Sequence, residues 1–207
     1  MMRSIIFTLS VLSVLATSVF SAPEPAIVQN AGQWTADAKF EPLRQLVYQP
    51  TETAQPRRFW YTILTIENRT GKDIGFFSKC DLMTDMFEIL PAGKLVPAAV
   101  FEQIKKRHHR KYPLLQYLPK VNSKILQGED NAVDVAIIWS DVKPQSKSIK
   151  LFITGLSNET AAVDVPDAEN AVIFLRKTLE LTFQLKGESV WRSDSDIIFR
   201  GKRWVMR

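Results

Sequence analysis

One cysteine, Cys80, is the only thiol in 207 residues, so no disulfide can form within the chain. Disulfide-stapled miniproteins are excluded, and the length is sufficient to bury a core without such support. Only two histidines occur, adjacent at His108 and His109. On a helix, neighbours point about 100° apart, so this pair cannot chelate one ion as residues at i and i+4 do. No apolar run beyond the N-terminus reaches the ~20 residues of a bilayer span. Internal repeats and low-complexity tracts are also absent. Mean hydropathy of -0.08 with 24% charged residues fits an ordinary globular chain, and neither a polytopic membrane protein nor a disordered one.

The N-terminus reads as an export signal. Residues 1–22 contain Arg3 in a short positive region, an apolar stretch from Ile5 to Ala16, and small residues before a cleavage point after Ser21 or Ala22. The mature chain is then expected to be secreted or periplasmic, with no transmembrane segment. Loss of Arg3 takes the formal charge from +5 to +4, that is 26 basic less 22 acidic residues. So small an excess does not point to nucleic acid. Outside the cytoplasm an unpaired thiol meets oxidants, so Cys80 is expected to be shielded as a small apolar core residue.

Residues 23–57 carry five prolines and read as an N-terminal arm with at most one strand, near 40–48, able to cover a sheet edge. Phe59 to Glu67 is β-branched and aromatic on both faces, the pattern of a central strand covered on both sides. Asn68 to Asp73 reads as a turn leading into a hairpin partner at Ile74. A further strand is expected over 84–90. Pro97 to His109 is the one helix, with Val100, Phe101 and Ile104 as its apolar stripe. Two prolines and irregular apolar spacing make 112–130 a packed connector.

Period-2 alternation returns at Val133, Val135, Ile137 and Trp139, with Ile138 the exception on the other face. It recurs at Ile149, Leu151 and Ile153, and most clearly at Leu175, Leu179, Leu181, Phe183 and Leu185, where only Lys177 breaks it. A last strand pair is expected around 189–198 and 202–206, turning at Arg200-Gly201. Many short strands and one helix predict an all-β, immunoglobulin-like β-sandwich with a short helical insertion near 97–111, occupying residues 58–207 as one domain.

The segments TIENRTGKDIGFF, TDMFEIL, VFEQIKKRHH, GEDNAVDVAIIW, FITGLSNET and LRKTLELTFQ, in that order, resemble secreted bacterial immunoglobulin-like β-sandwich proteins of unassigned function. The resemblance implies the fold. It implies no catalytic or binding residues, and the Cys, Trp, Cys spacing of true immunoglobulin domains is missing.

No catalytic constellation, cofactor motif or metal motif is present, which points away from an enzyme. The densest charge is Lys105, Lys106, Arg107, Arg110 and Lys111, with His108 and His109 between them. It is a candidate anion-binding patch or a set of cations complementing the negative end of the helix dipole. Tyr112 and Tyr117 are expected to be exposed beside it. Glu129, Asp130 and Asp134, and likewise Asp194 and Asp196, alternate oxygen ligands without completing a calcium loop, and read as solvated turns. Gly155 to Glu159 begins like a nucleophile elbow but lacks the second glycine and the following helix. Trp60 and Trp139 are expected in the core, Trp191 and Trp204 at the surface. Asn68 and Asn158 head glycosylation sequons at expected turns. The sequence thus favours an extracytoplasmic, non-enzymatic binding or scaffolding module, its partner an envelope protein or anionic polymer. The alternatives are a carbohydrate-active or other hydrolase using carboxylates assembled by the fold, and a self-assembling structural envelope subunit.

Overall fold

The computed structural model describes residues 26–28, 32–121, 124–164 and 172–207. The expected signal sequence lies outside them. Strands β1 (Ala26–Val28), β2 (Asp37–Phe40), β3 (Arg44–Tyr48), β4 (Arg57–Asn68), β5 (Ile74–Gly75), β6 (Cys80–Thr84) and β7 (Ile89–Pro91) precede the helix α1 (Ala98–His108). After it come β8 (Gln116–Tyr117), β9 (Lys124–Ile125), β10 (Gly128–Ser140), β11 (Ser148–Ile153), β12 (Thr160–Asp164), β13 (Val172–Leu185) and β14 (Ile197–Met206). Among the described residues the regular structure is all-β apart from α1 and two single 3-10 turns.

Two sheets pack face to face. One is ordered β1-β12-β13-β11-β6-β7, with β14 also paired to β13; the other is β2-β4-β10-β8, with β3 also on β4. Leu82, Ile149, Leu151, Ile153, Leu179, Leu181 and Phe183 of the first sheet meet Trp60, Leu64, Ile66, Val135, Ile137 and Trp139 of the second. The intervening residues of β4 and β10, namely Phe59, Tyr61, Ile63, Ala136 and Ile138, are equally buried, beneath Val100, Phe101 and Ile104 of α1. Covering β4 on both sides makes the second sheet a middle layer, which is the reason for its unbroken apolar run. Ile138 is therefore no exception, because its face of β10 lies under the helix. Leu179, Leu181, Phe183 and Leu185 each stand at 5% exposure or less. Together they contribute on the order of 8 kcal/mol at most.

Several expectations are corrected. β4 forms no hairpin with β5, which pairs β9 instead, because β2 and β3 fill one edge of β4 and β10 the other. The proline-rich stretch gives three strands in place of one, β1 on β12 and β2 and β3 end to end on β4. The expected strand at 84–90 is the reversal of a β6–β7 hairpin, centred on Phe87 with φ +57°. No turn occurs at Arg200-Gly201; β14 runs straight through as one strand along β13, with a bulge there. Cys80 is shielded as expected, at 2% exposure, and burial pushes its thiol up to about 12 against the opposing Ser78 contact.

Both sequon asparagines have engaged side chains. Asn68 is fully buried at the end of β4, where its amide binds the Lys72 and Ile125 carbonyls, and Asn158 binds the backbone of Trp34 and Gly32. The Asn68 amide cannot carry a glycan in the folded state.

Candidate functional site

Because Leu179, Leu181 and Phe183 face the core, the alternate residues Arg176, Glu180, Thr182 and Gln184 of β13 line the outer face of its sheet. Strand register sets the neighbours. Arg203 of β14 lies opposite Glu180, and Lys150 of β11 opposite Thr182. Phe152 lies between Glu180 and Asp81 of β6. The bulge beside Thr182 and Phe183 leaves Arg200 as an extra residue, and its guanidinium donates to Gln184 on the same face. Arg207 lies over the Phe152 ring at 4.1 Å and 3.6 Å from Asp81, while Lys79 stands 3.4 Å from Asp81 on its other side.

Six cations thus share the outer face of this sheet, with Asp81 and Glu180 between them and Asp164 at the far end of β12. Lys79, Lys150, Arg176, Arg200, Arg203 and Arg207, less Asp81, Glu180 and Asp164, leave three positive charges uncompensated. Asp81 and Glu180 are recessed, at 6% and 4% exposure, while the side chains of Arg203 and Lys79 are 65% and 74% exposed. Burial alone would raise the Glu180 carboxyl, but two hydrogen bonds from Arg203 and the field of Lys150 outweigh it and hold the group below its ordinary range. The Thr178 hydroxyl is buried and donates to the Arg176 carbonyl, and that of Thr182 donates to Glu180. Such a surface offers hydrogen-bond donors and positive potential to an extended anion.

The contiguous basic run at the end of α1 behaves differently. Arg107 donates to the Tyr61 hydroxyl at 3.3 Å, His108 Nε2 lies 3.1 Å from the same oxygen, and Lys111 pairs with Glu41. Lys106 and Arg110 are exposed and Lys105 half-buried. The helix end is thereby docked on β4 through Tyr61, and the run divides between packing and solvent. Tyr112 and Tyr117 are buried, at 8% and 9% exposure, because both close the layer beneath α1; the expectation of two exposed aromatics is overturned.

Trp60 and Trp139 are fully buried and Trp191 and Trp204 are exposed, at 81% and 36%, as expected; Lys177 lies over the Trp204 ring. Ser157 bonds to Thr35 and to the Trp34 carbonyl, away from either histidine. Asp134 accepts from Thr65, Asp194 binds Gln45 and Arg44, and Asp196 caps its own turn through Ser193. Among the described residues no three His, Cys, Asp or Glu side chains converge as a metal site would need, and no helix is long and apolar enough to cross a membrane.

Burial, aided by Arg44 and Arg107, holds His108 below its ordinary 6.5. The unfolded chain therefore takes that proton first, and stability present above pH 6.5 is lost as pH falls past it. Glu180, held below its ordinary 4.5, adds stability that is lost at lower pH still, as pH falls through its folded value. Thermal melts from pH 8 to pH 3 should show two stages of loss, with His108→Gln removing only the first. No protein family model, curated protein or solved structure matches this chain.

Proposed function

We propose that this chain is an extracytoplasmic, non-enzymatic binding module on an immunoglobulin-like β-sandwich, and that it holds an anionic envelope polymer against the outer face of the β13 sheet. The observation that carries this reading is the concentration of six cations, with their two nearest carboxylates recessed, on one sheet face. Clustered cations bind polyanions largely through counterion release, which needs a surface and no catalytic geometry.

A hydrolase of the two-carboxylate kind needs one carboxyl kept protonated. Glu180, Glu41 and Glu159 are all held below their ordinary range, in each case by an arginine or lysine partner. For a self-assembling subunit the long edge strand would be β14, yet Arg200, Lys202 and Arg203 stud it with charge of one sign, which opposes strand-to-strand pairing.

The test uses Lys79→Ser, Arg176→Ser and Arg200→Ser together, which leaves the Arg203 and Lys150 contacts to Glu180 in place. Binding to polyphosphate, followed by titration at stepped salt, should weaken sharply. The slope of log K against log salt should fall by about three, one for each cation removed. A helix-end variant, Lys105→Ser, Lys106→Ser and Arg110→Ser, serves as comparison and should change the slope less. Equal effects from the two variants, or none from the first, would overturn the assignment to the sheet face.

A further inference from the structure

At the Arg176 end of the cationic face lies a cleft of about 310 Å³, lined by Trp34, Phe77, Gly155, Asn158, Glu159 and Arg176. Phe77 is 73% exposed although it belongs to no core cluster. Its position is nevertheless fixed by backbone. Gly155 has φ +86°, and a Cβ there would fall 2.9 Å from the Phe77 carbonyl oxygen, so residues 77 and 78 rest directly on the 155 turn. Trp34 is equally constrained, its N–H donating to Asn158 at 2.7 Å and its carbonyl accepting from Ser157 at 2.9 Å.

The charges in the cleft are unequal in their freedom. Glu159 is neutralised by Lys177 at 2.6 Å and receives a further bond from Thr35 at 2.9 Å, so it repels an incoming anion only weakly. The Arg176 side chain forms no ion pair among the described residues. Two aromatic side chains on held backbone remain, with a guanidinium outside any ion pair among the described residues. From Arg176, cations continue along β13 past Arg203, opposite Glu180, to Arg200 beside Gln184. Eight residues of strand separate the two ends, roughly 26 Å.

From this arrangement, and resting on the binding-module reading above, we infer that the ligand is an acidic polysaccharide. The apolar face of a sugar ring stacks in the cleft on Phe77 and Trp34, its carboxylate pairs with Arg176, and the rest of the chain follows the arginine track. Aromatic rings offer a sugar what they cannot offer a bare phosphate chain, namely a flat apolar surface for its C–H groups. The length of the track means that a polymer binds and a single sugar acid does not compete.

Polygalacturonate and polyphosphate separate this inference from the reading it rests on. Phe77→Ala should weaken polygalacturonate binding about tenfold and leave polyphosphate unchanged. Phe77→Trp should preserve polygalacturonate binding, and Arg176→Ser should weaken both polymers. Because Phe77 is exposed, an unaltered melting temperature will show that the variants are folded. If Phe77→Ala weakens both polymers equally or neither, or if the unmodified protein binds polyphosphate alone, the sugar assignment falls and the basic-face reading stands. If the unmodified protein binds neither polymer, both fall.

Discussion

Replacing Trp139 with alanine is expected to lower the unfolding free energy by about 3–5 kcal/mol, a large part of the roughly 5–15 kcal/mol available to a domain. Trp139 is fully buried where the two sheets meet, directly opposite Trp60 in the β4–β10 register, and its indole N–H points to the Cys80 carbonyl at 3.4 Å. Truncation removes the ring, opens a cavity between two sheets that are each held by other pairs, and leaves the Cys80 carbonyl without its indole donor. The neighbours cannot collapse into the gap, since Trp60 is fixed by its own bond to Asp141 at 2.9 Å. Urea unfolding should show a midpoint moved to lower concentration with an unchanged slope. A shift under 1 kcal/mol would mean that the interface between the sheets is looser than the contacts imply.

The second large effect is at Asn68, where alanine should cost about 2–4 kcal/mol through stranded polar groups alone. Its amide nitrogen donates to the carbonyls of Lys72 and Ile125 at 2.8 and 3.0 Å, and its oxygen accepts from the Thr70 N–H and hydroxyl at 3.1 and 2.8 Å. This one side chain holds the turn after β4 to the β5–β9 pair. Asn68→Asp retains both acceptor contacts but sets a carboxylate against two carbonyls, so it should be destabilising too. The same denaturation experiment checks both variants, and Asn68→Asp matching the parent protein would show that the donor half is not needed.

The residues that could be read without a structure were those whose periodicity reports burial. The two-sided run at 59–67, the alternation of β10, β11 and β13, and the α1 stripe each named their own environment. Pairing partners were another matter. The hairpin after Asn68 was expected because a good turn sits between two strand-like segments, and nothing local says that both edges of β4 are already taken. Arg200-Gly201 likewise resembles a turn, although the glycine relieves a bulge within a continuous strand.

The site was less legible for the same reason. A basic cluster contiguous in sequence is conspicuous, as 105–111 is, but part of it is spent on docking the helix. Lys79, Lys150, Arg176, Arg200, Arg203 and Arg207 come from four strands and their flanks, and only register makes them neighbours. A weak trace exists in RKTLELTFQ, where the polar half of the alternation marks a solvated face. Its charge could not be summed before the adjacent strands were known.

The placement of the middle layer has a consequence for how this molecule could change over time. β4 and β10 have protein above, below and alongside, so the persistence of the fold is vested in strands remote from the proposed binding face. The cationic side chains stand on the far side of a different sheet, with their heads in water. Cations there that hold no buried acid, such as Arg176 and Arg200, can be exchanged, added or lost at little thermodynamic cost, leaving the proposed polymer preference free to drift while the scaffold stays the same.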